Sequence, residues 1–274
     1  MYKWALGAIL YVAVVIGGFT VYDKVTVDDK QALTNHSNEK HGVQNEGSHA
    51  HGTDSHEEGI SDVNTFVQAD KDEIKVYLKD KAGNPVNELE VNHEKLVHFI
   101  VVDEHLQKYY HLHPEQTGKG QFKIKNTLPE GFYKAFIDSK PKNLAYHVTP
   151  VPFIVGHPTV SDQNLGIKPD NSFTQQIDGE TVTLKMSSFE INQPVTLTFD
   201  LDKTNLTPYL GALGHVVIVD ESAQQYLHVH PAQQEEPVFE TQFEQPGIYK
   251  IWAEFKQNGK VRAFPFVVQI KGEK

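Results

Sequence analysis

The stretch His98-Phe-Ile-Val-Val-Asp103, followed after a short polar turn by Tyr109-Tyr-His-Leu-His-Pro114, occurs twice in this chain. The second copy reads His215-Val-Val-Ile-Val-Asp220, a short turn, and then Tyr226-Leu-His-Val-His-Pro231. The three histidines, the aspartate, one tyrosine and the proline keep the same spacing in both copies. The chain therefore contains a duplicated structural unit whose polar signature is a set of three histidines.

Each copy predicts an antiparallel β-hairpin, because an apolar run, a polar turn and a second apolar run follow one another. Side chains two apart on a strand share a face, so His111 and His113 point the same way. A register that pairs His98 with either of them brings all three to one face. Opposed Cβ atoms are about 4.5–5.5 Å apart, which lets imidazoles converge on one ion. The corresponding predicted ligands of the second copy are His215, His228 and His230.

The sequence around the two copies predicts an all-β protein. Apolar residues alternate with polar ones from 63 to 157 and again from 171 to 274, with glycine and proline turns between short runs. This pattern is typical of antiparallel β-sandwiches, and we expect two tandem domains of immunoglobulin-like or cupredoxin-like type. Tyr133 and Tyr249 each follow a glycine turn and resemble the structural tyrosine corner of such sandwiches.

The N-terminal region predicts an anchor and a linker. Residues 1–22 contain an apolar run long enough to span a bilayer, so we expect a transmembrane helix or uncleaved signal, with a cleaved signal peptide as the alternative. The protein would then be a single-pass protein of the cell membrane with its domains on the extracytoplasmic side. Residues 23–62 are polar and aperiodic, which predicts a disordered linker. The linker histidines, expected to collect metal in an accessory role, are His36, His41, His49, His51 and His56.

The composition restricts the chemistry that the histidines can share. The chain has no cysteine, which excludes disulfides, thiolate zinc sites and iron–sulfur clusters, and Met1 and Met186 are too few for a Met-rich Cu(I) site. The net charge of −11 and the single arginine, Arg262, argue against nucleic-acid binding. Imidazole suits zinc and copper alike, so we expect Cu(II) or Zn(II).

Further polar residues stand close to the histidines in sequence. Tyr109 and Tyr226 share their face and can act as a fourth ligand, as hydrogen-bond partners or as packing groups. Asp103 and Asp220 end strands before turns, where aspartate is common, and are weaker candidates for supporting the ligands. The other folded-region histidines that have no counterpart in the second copy are not predicted ligands; these are His93, His105 and His147.

Two other functions remain open. A structural or interaction module would use the histidines to order the core or to sense pH. A cupin-type metalloenzyme is suggested by His228-Val-His230 with Glu235, but the first copy lacks the matching glutamate. We therefore expect a binding protein and no enzyme. The two histidine sets can also face each other across the domains and share one ion.

The chain resembles a little-characterised group of bacterial membrane-anchored or secreted two-repeat proteins. The resemblance spans roughly residues 63–270 and rests on Leu96-Val-His-Phe-Ile-Val-Val-Asp103, on His111-Leu-His-Pro114, and on Pro208-Tyr-Leu-Gly-Ala-Leu-Gly-His215 with Tyr226-Leu-His-Val-His-Pro231. It implies a role in heavy-metal handling, particularly of copper. We therefore expect metal buffering, resistance, or delivery to a membrane metal transporter.

Overall fold

The structure, a computed structural model, describes residues 61–159, 166–227 and 229–272. The regular secondary structure of these residues consists of β-strands. The predicted anchor, 1–22, and all but the last two residues of the predicted linker, 23–62, lie outside these residues, as does His228. Within the described residues, no helix is long and apolar enough to cross a membrane. The predicted all-β architecture of two antiparallel sandwiches is confirmed.

The first repeat folds into two antiparallel sheets. Its strands are β1 (Val63–Ala69), β2 (Glu73–Asp80), β3 (Leu89–Glu90), β4 (Val97–Asp103), β5 (Tyr109–Leu112), β6 (Glu115–Gly118), β7 (Gln121–Lys125), β8 (Gly131–Pro141) and β9 (Val151–Val155). One sheet has the order β1-β2-β7-β6, and the other has the order β3-β8-β4-β5 with β9 also paired to β8. Ile74, Val76 and Leu78 alternate with more exposed residues on β2 and are fully buried between the sheets. Every second residue of the strand is thus buried, and these residues form the core of the sandwich.

The second repeat has the same arrangement. Its strands are β10 (Thr174–Ile177), β11 (Glu180–Met186), β12 (Pro194–Leu201), β13 (Leu206–Thr207), β14 (His215–Asp220), β15 (Tyr226–Leu227), β16 (His230–Pro231), β17 (Val238–Gln242), β18 (Gly247–Gln257) and β19 (Lys260–Ile270). One sheet has the order β10-β11-β12-β17-β16, and the other has the order β13-β18-β14-β15 with β19 also paired to β18. The hydroxyls of Tyr133 and Tyr249 each donate to a backbone carbonyl four residues earlier, on Pro129 and Gln245 respectively, at 2.9 and 2.8 Å. Both repeats therefore contain the tyrosine corner that the sequence predicts.

The His-x-His-Pro segment marks the point where the chain changes sheet. In the first repeat β5 pairs with β4, and the next strand, β6, pairs with β7 in the opposite sheet. In the second repeat β15 pairs with β14, and β16 pairs with β17. A proline has no N–H for a continuing ladder, which suits a strand that leaves its sheet there. His111 and His113 consequently lie at an edge of the first sandwich, and His230 lies at an edge of the second.

The two repeats pack together through the outer faces of the sheets that contain β4 and β14, within one compact unit that spans His56–Lys274. The apolar cluster between them, called here the interface core, consists of Ile100, Val102, Leu106 and Phe136 from the first repeat and Val217, Val219, Ala223 and Trp252 from the second. The Tyr109 ring stacks on Trp252, and the Tyr226 ring stacks on Phe136. The interface core brings the polar ends of β4 and β14 together.

Candidate functional site

The three histidines of the first repeat converge, as the sequence predicts. In the β4–β5 hairpin Ile100 pairs with His111, so the same register sets His98 beside His113. His98 Nδ1 lies 2.9 Å from His111 Nε2. The His113 ring centroid is 5.1 Å from that of His98 and 4.6 Å from that of His111. The His98 ring is fully buried, and only 1% of the His111 side chain is exposed.

The second repeat adds His215 and Glu254 to the same cluster. The His215 ring centroid is 4.6 Å from that of His111 and 5.6 Å from that of His98. Glu254 Oε2 lies 2.5 Å from His111 Nδ1 and 3.3 Å from His215 Nδ1. Ligand atoms within 4.8 Å of one another occur in two groups that share His111, the first-repeat triad and His111 with His215 and Glu254. These buried groups can hold a metal ion, and they form one cluster between the repeats.

Strand pairing within the second repeat positions its two contributions. His215 opens β14 and pairs with Glu254 on β18, so both side chains point from the outer face of that sheet. The residue before His215 is Gly214, with φ at 137°. A Cβ there would lie 2.9 Å from the Glu254 carbonyl oxygen and 2.6 Å from the Phe255 ring. Glycine is required because the backbone approaches β18 so closely.

Hydrogen bonds fix which nitrogen of His98 and of His111 carries a proton. His98 Nε2 donates to the Asn92 carbonyl at 2.9 Å, because a carbonyl oxygen can only accept. His111 Nδ1 donates to Glu254, which is ionised at neutral pH. The remaining nitrogens, His98 Nδ1 and His111 Nε2, therefore face each other with lone pairs when both rings are neutral. In addition, His113 Nε2 is buried and makes no hydrogen bond within the described residues, and His215 Nδ1 faces Glu254 Oε2 at 3.3 Å.

Burial and charge set the ionisation of the cluster. Burial lowers the pKa of His98 to about 4 and that of His113 to about 3, and it also lowers the pKa of His215. Burial opposes the ionisation of Glu254, but the adjacent His111 and His215 outweigh it and hold its pKa at about 2. A neutral imidazole is the form that binds a metal. The neutral rings of His98, His113 and His215 can therefore act as ligands, and they lie beside the buried carboxylate of Glu254.

Without metal, the free energy of unfolding is expected to fall as the pH is lowered from 6.5 toward 4. The folded-state pKa values of His98 and His113 lie below the ordinary value of 6.5, so the unfolded chain binds more protons in this window. Groups that face them are His111, His215, Glu254, Asp138 and Lys95. We expect His98 alone to account for a loss of about 2 kcal/mol between pH 7 and pH 5, and the partly exposed His113 to add to it, measured by urea unfolding in a chelator. A His113→Gln variant should show a shallower slope, and equal stability at the two pH values would contradict the prediction.

Asp138 of the first repeat occupies the position that Glu254 occupies in the second, and it contacts a tyrosine of the opposite repeat. Asp138 pairs with His98 on β8 as Glu254 pairs with His215 on β18. The Tyr226 hydroxyl donates to Asp138 Oδ2 at 3.0 Å. Burial, followed by the nearby Glu254, raises the pKa of Tyr109 well above its ordinary value, and burial and Asp138 do the same for Tyr226. The two predicted tyrosines thus lie as neutral phenols near carboxylates of the opposite repeat.

The other predicted site residues that the structure describes lie away from the cluster of His98, His111, His113 and His215. His230 is exposed and pairs with Glu240 in the sheet opposite to that of His215, and His228 lies outside the described residues. The Asp103 carboxylate accepts N–H groups of its own hairpin turn, from Gln107 and Lys108, and Asp220 does the same in the second repeat. Asp103 is five residues along the strand from His98, roughly 16 Å. The five linker histidines also fall outside the described residues.

Sequence reasoning missed Glu254 and its equivalent Asp138. Each lies five residues after the tyrosine of the tyrosine corner, on the long strand β8 or β18 that is otherwise largely buried. Both could have been predicted from the sequence, because an acidic residue in an otherwise apolar strand recurs at the same place in the two repeats. His93 was also set aside, yet its ring centroid lies 6.0 Å from that of His98 and 5.9 Å from that of His215.

Comparison with known proteins identifies a family. The family model described as "Domain of unknown function (DUF8832)" matches residues 53–157 and 175–272, more than half of the chain, and the chain belongs to this family. No curated protein gives a significant match.

Solved structures with some similarity are bacterial surface proteins. The BcpA major pilin subunit of Bacillus cereus is 12% identical with a TM-score of 0.20, and the match covers 64% of this chain and 65% of that one. The Escherichia coli adhesin FdeC is 13% identical with a TM-score of 0.22, and the match covers 77% of this chain and 65% of that one. Domains 5–6 of the S-layer protein SbsC are 14% identical with a TM-score of 0.22, covering 77% of this chain and all of that one. The chain thus spans slightly less than two thirds of BcpA and of FdeC.

Proposed function

We propose that this member of the DUF8832 family binds one transition-metal ion, Cu(II) or Zn(II), in a single site that its two repeats share. The observation that carries the proposal is the 2.9 Å approach of His98 Nδ1 to His111 Nε2. Each ring already donates its other N–H, to the Asn92 carbonyl and to Glu254. Two imidazole lone pairs at this distance repel unless a cation or a proton lies between them.

The spacing of the rings is also the spacing that one shared ion requires. Two nitrogens bound to one tetrahedral zinc at 2.0–2.1 Å lie about 3.3 Å apart, and their ring centroids lie about 5 Å apart. The centroid distances that link His98, His111, His113 and His215 run from 4.6 to 5.6 Å. A shift of less than about 0.5 Å would bring His98 and His111 to ligand spacing.

Glu254 completes the expected surroundings of such a site. A metal-bound histidine usually donates its other N–H to a carboxylate or a carbonyl, which fixes the ring and raises its basicity. Glu254 would do this for His111, and the Asn92 carbonyl would do it for His98. The buried negative charge would also favour a divalent cation.

The ligand set favours Cu(II) or Zn(II) over Cu(I), because it offers imidazole and carboxylate and no sulfur. The resemblance to two-repeat proteins of heavy-metal handling adds support for copper. We therefore propose buffering, resistance or delivery of the ion outside the cytoplasm, with a membrane metal transporter as the partner in delivery. The binding residues would be His98, His111, His113 and His215.

A second candidate rests on the same contact. If a proton rather than a metal lies between His98 and His111, then His111 is an imidazolium that pairs with Glu254. The cluster would then be a pH-sensing structural element of the interface between the repeats. This function predicts normal folding and no response to metal.

Calorimetric titration with Zn(II) and with Cu(II) distinguishes the two. The protein is the full chain with its five linker histidines replaced by Gln, called here the linker-Gln chain, so that they do not contribute to the count. We expect one ion per chain with a dissociation constant of about 1 µM or tighter, which corresponds to about −8 kcal/mol. Binding should be lost in both His111→Ala, from the first repeat, and His215→Ala, from the second.

The matched control is His105→Ala, which removes a histidine at the opposite end of the hairpin, where it pairs with Glu104, and should bind like the parent. Two ions per chain would contradict a shared site. Dissociation constants no tighter than about 1 mM for both metals would reject metal binding and favour the pH-sensing element.

A further inference from the structure

The turn between β3 and β4 has an unusual backbone for its sequence. Asn92 N donates to the Lys95 carbonyl and Lys95 N donates to the Asn92 carbonyl, at 2.8 and 2.9 Å, which closes a two-residue turn. The central residues, His93 and Glu94, both have positive φ, at 45° and 67°. Turns of this kind strongly prefer Asn-Gly or Gly-Gly, because other side chains are strained there. A histidine and a glutamate in these places call for an explanation.

The second repeat provides the matched comparison. The equivalent turn, from Tyr209 to Ala212, precedes His215 as the first turn precedes His98, and Tyr209 N donates to the Ala212 carbonyl at 2.8 Å. Its central residues are Leu210 and Gly211, with φ at 58° and 86°. Glycine meets the conformational requirement without strain at the second position. The first position is strained in both repeats, at His93 and at Leu210, whereas the second is strained only in the first repeat, where Glu94 stands in place of Gly211.

His93 also differs from Leu210 in its chemistry, because its imidazole lies beside the histidine cluster. Its ring centroid is about 6 Å from those of His98 and His215, one from each repeat, at 6.0 and 5.9 Å. His93 is only half-buried, whereas His98 is fully buried and His215 is 8% exposed. His93 thus lies between the closed cluster and solvent. The same turn contacts the cluster directly, because the Asn92 carbonyl accepts the hydrogen bond from His98.

We propose that His93 is a further ligand of the ion, on the side of the cluster that faces solvent. This inference rests on the proposed function. Imidazoles that share one ion have centroids about 5 Å apart, so His93 needs to move inward by about 1 Å to become the fifth ligand, beside His98, His111, His113 and His215. Two backbone hydrogen bonds hold the turn, and Glu94 and Lys95 are exposed, so such a movement disturbs no buried side chain of the turn.

The test grafts the second-repeat residues onto the first-repeat turn, one at a time, in the linker-Gln chain. His93→Leu, which copies Leu210, should weaken Zn(II) binding by about 10- to 100-fold, the range for a residue that supports a metal site. It should also remove one nitrogen from the electron paramagnetic resonance signal of bound Cu(II). Glu94→Gly, which copies Gly211, keeps the imidazole and should retain the parent affinity and Cu(II) signal.

A second variant distinguishes loss of the imidazole from disruption of the turn conformation. His93→Asn removes the imidazole while supplying a residue that tolerates positive φ, so it should match His93→Leu in affinity and in Cu(II) signal. If the parent chain binds and both His93 variants bind with the same affinity and signal as the parent, the role of His93 is rejected and the shared site stands. If the parent chain binds neither metal, the proposed function fails, and the role of His93 falls with it.

Discussion

Zn(II) at a thousand times its dissociation constant is expected to raise the free energy of unfolding of the folded chain by about 4 kcal/mol. The reason is that the proposed ligands assemble only on folding, since His111 and Glu254 are 143 residues apart in sequence. The measurement uses the linker-Gln chain, so that the five linker histidines contribute nothing to the difference. Urea unfolding followed by circular dichroism, with Zn(II) and then with chelator, measures the gain.

The control for this gain is His98→Ala. The variant removes one ligand from the first repeat and leaves the second repeat unchanged, so its unfolding should be indifferent to Zn(II). A comparable gain in the variant would mean that the ion acts elsewhere in the chain. No gain in either protein would favour the pH-sensing element over a metal site.

Trp252→Ala is expected to lower the free energy of unfolding by about 3–5 kcal/mol, the usual range for truncating a buried aromatic residue. Trp252 is 3% exposed in the interface core, and its ring centroid lies 4.8 Å from that of Tyr109 of the other repeat. It is also two residues from Glu254 on β18, so the loss of packing should loosen the shared site. Urea unfolding in chelator measures the stability, and titration with Zn(II) then measures the effect on binding.

The matched control is Trp252→Phe, because Phe136 occupies the equivalent position in the first repeat and stacks on Tyr226. This substitution keeps an aromatic ring in the interface core and should cost less than Trp252→Ala, because it leaves a smaller cavity. A loss below about 1 kcal/mol in Trp252→Ala would show that the repeats do not depend on this contact for their stability.

The fold and the first-repeat triad were predictable because they depend on local pattern. Alternation of apolar and polar residues predicts strands without knowledge of the tertiary structure. The hairpin joins residues that are close in sequence, since His98 and His111 are 13 positions apart. Hairpin register and the period of two are therefore sufficient to bring the triad together. The tyrosine corners were likewise evident from a glycine followed by a tyrosine at the start of a long strand.

The remaining members of the cluster depend on how the two repeats dock. Glu254 reaches His111 only because the interface core sets β18 of the second repeat against β5 of the first. No spacing within one repeat contains that information. His93 was excluded because it has no counterpart in the second repeat. In the proposed site, however, it is a ligand that only the first repeat provides. Aligning the repeats upstream of His98 and His215 sets His93 against Leu210.

The two ring stacks across the interface, Tyr109 on Trp252 and Tyr226 on Phe136, are reciprocal, which is the contact pattern of an isologous twofold dimer. In a dimer of identical subunits, any change on one side of the axis would appear on the other. Joining both halves in one chain removes that constraint. Equivalent places hold Asp138 and Glu254, and likewise His93 and Leu210. Covalent linkage thus allows a symmetric contact surface to carry one asymmetric centre in place of two equal ones.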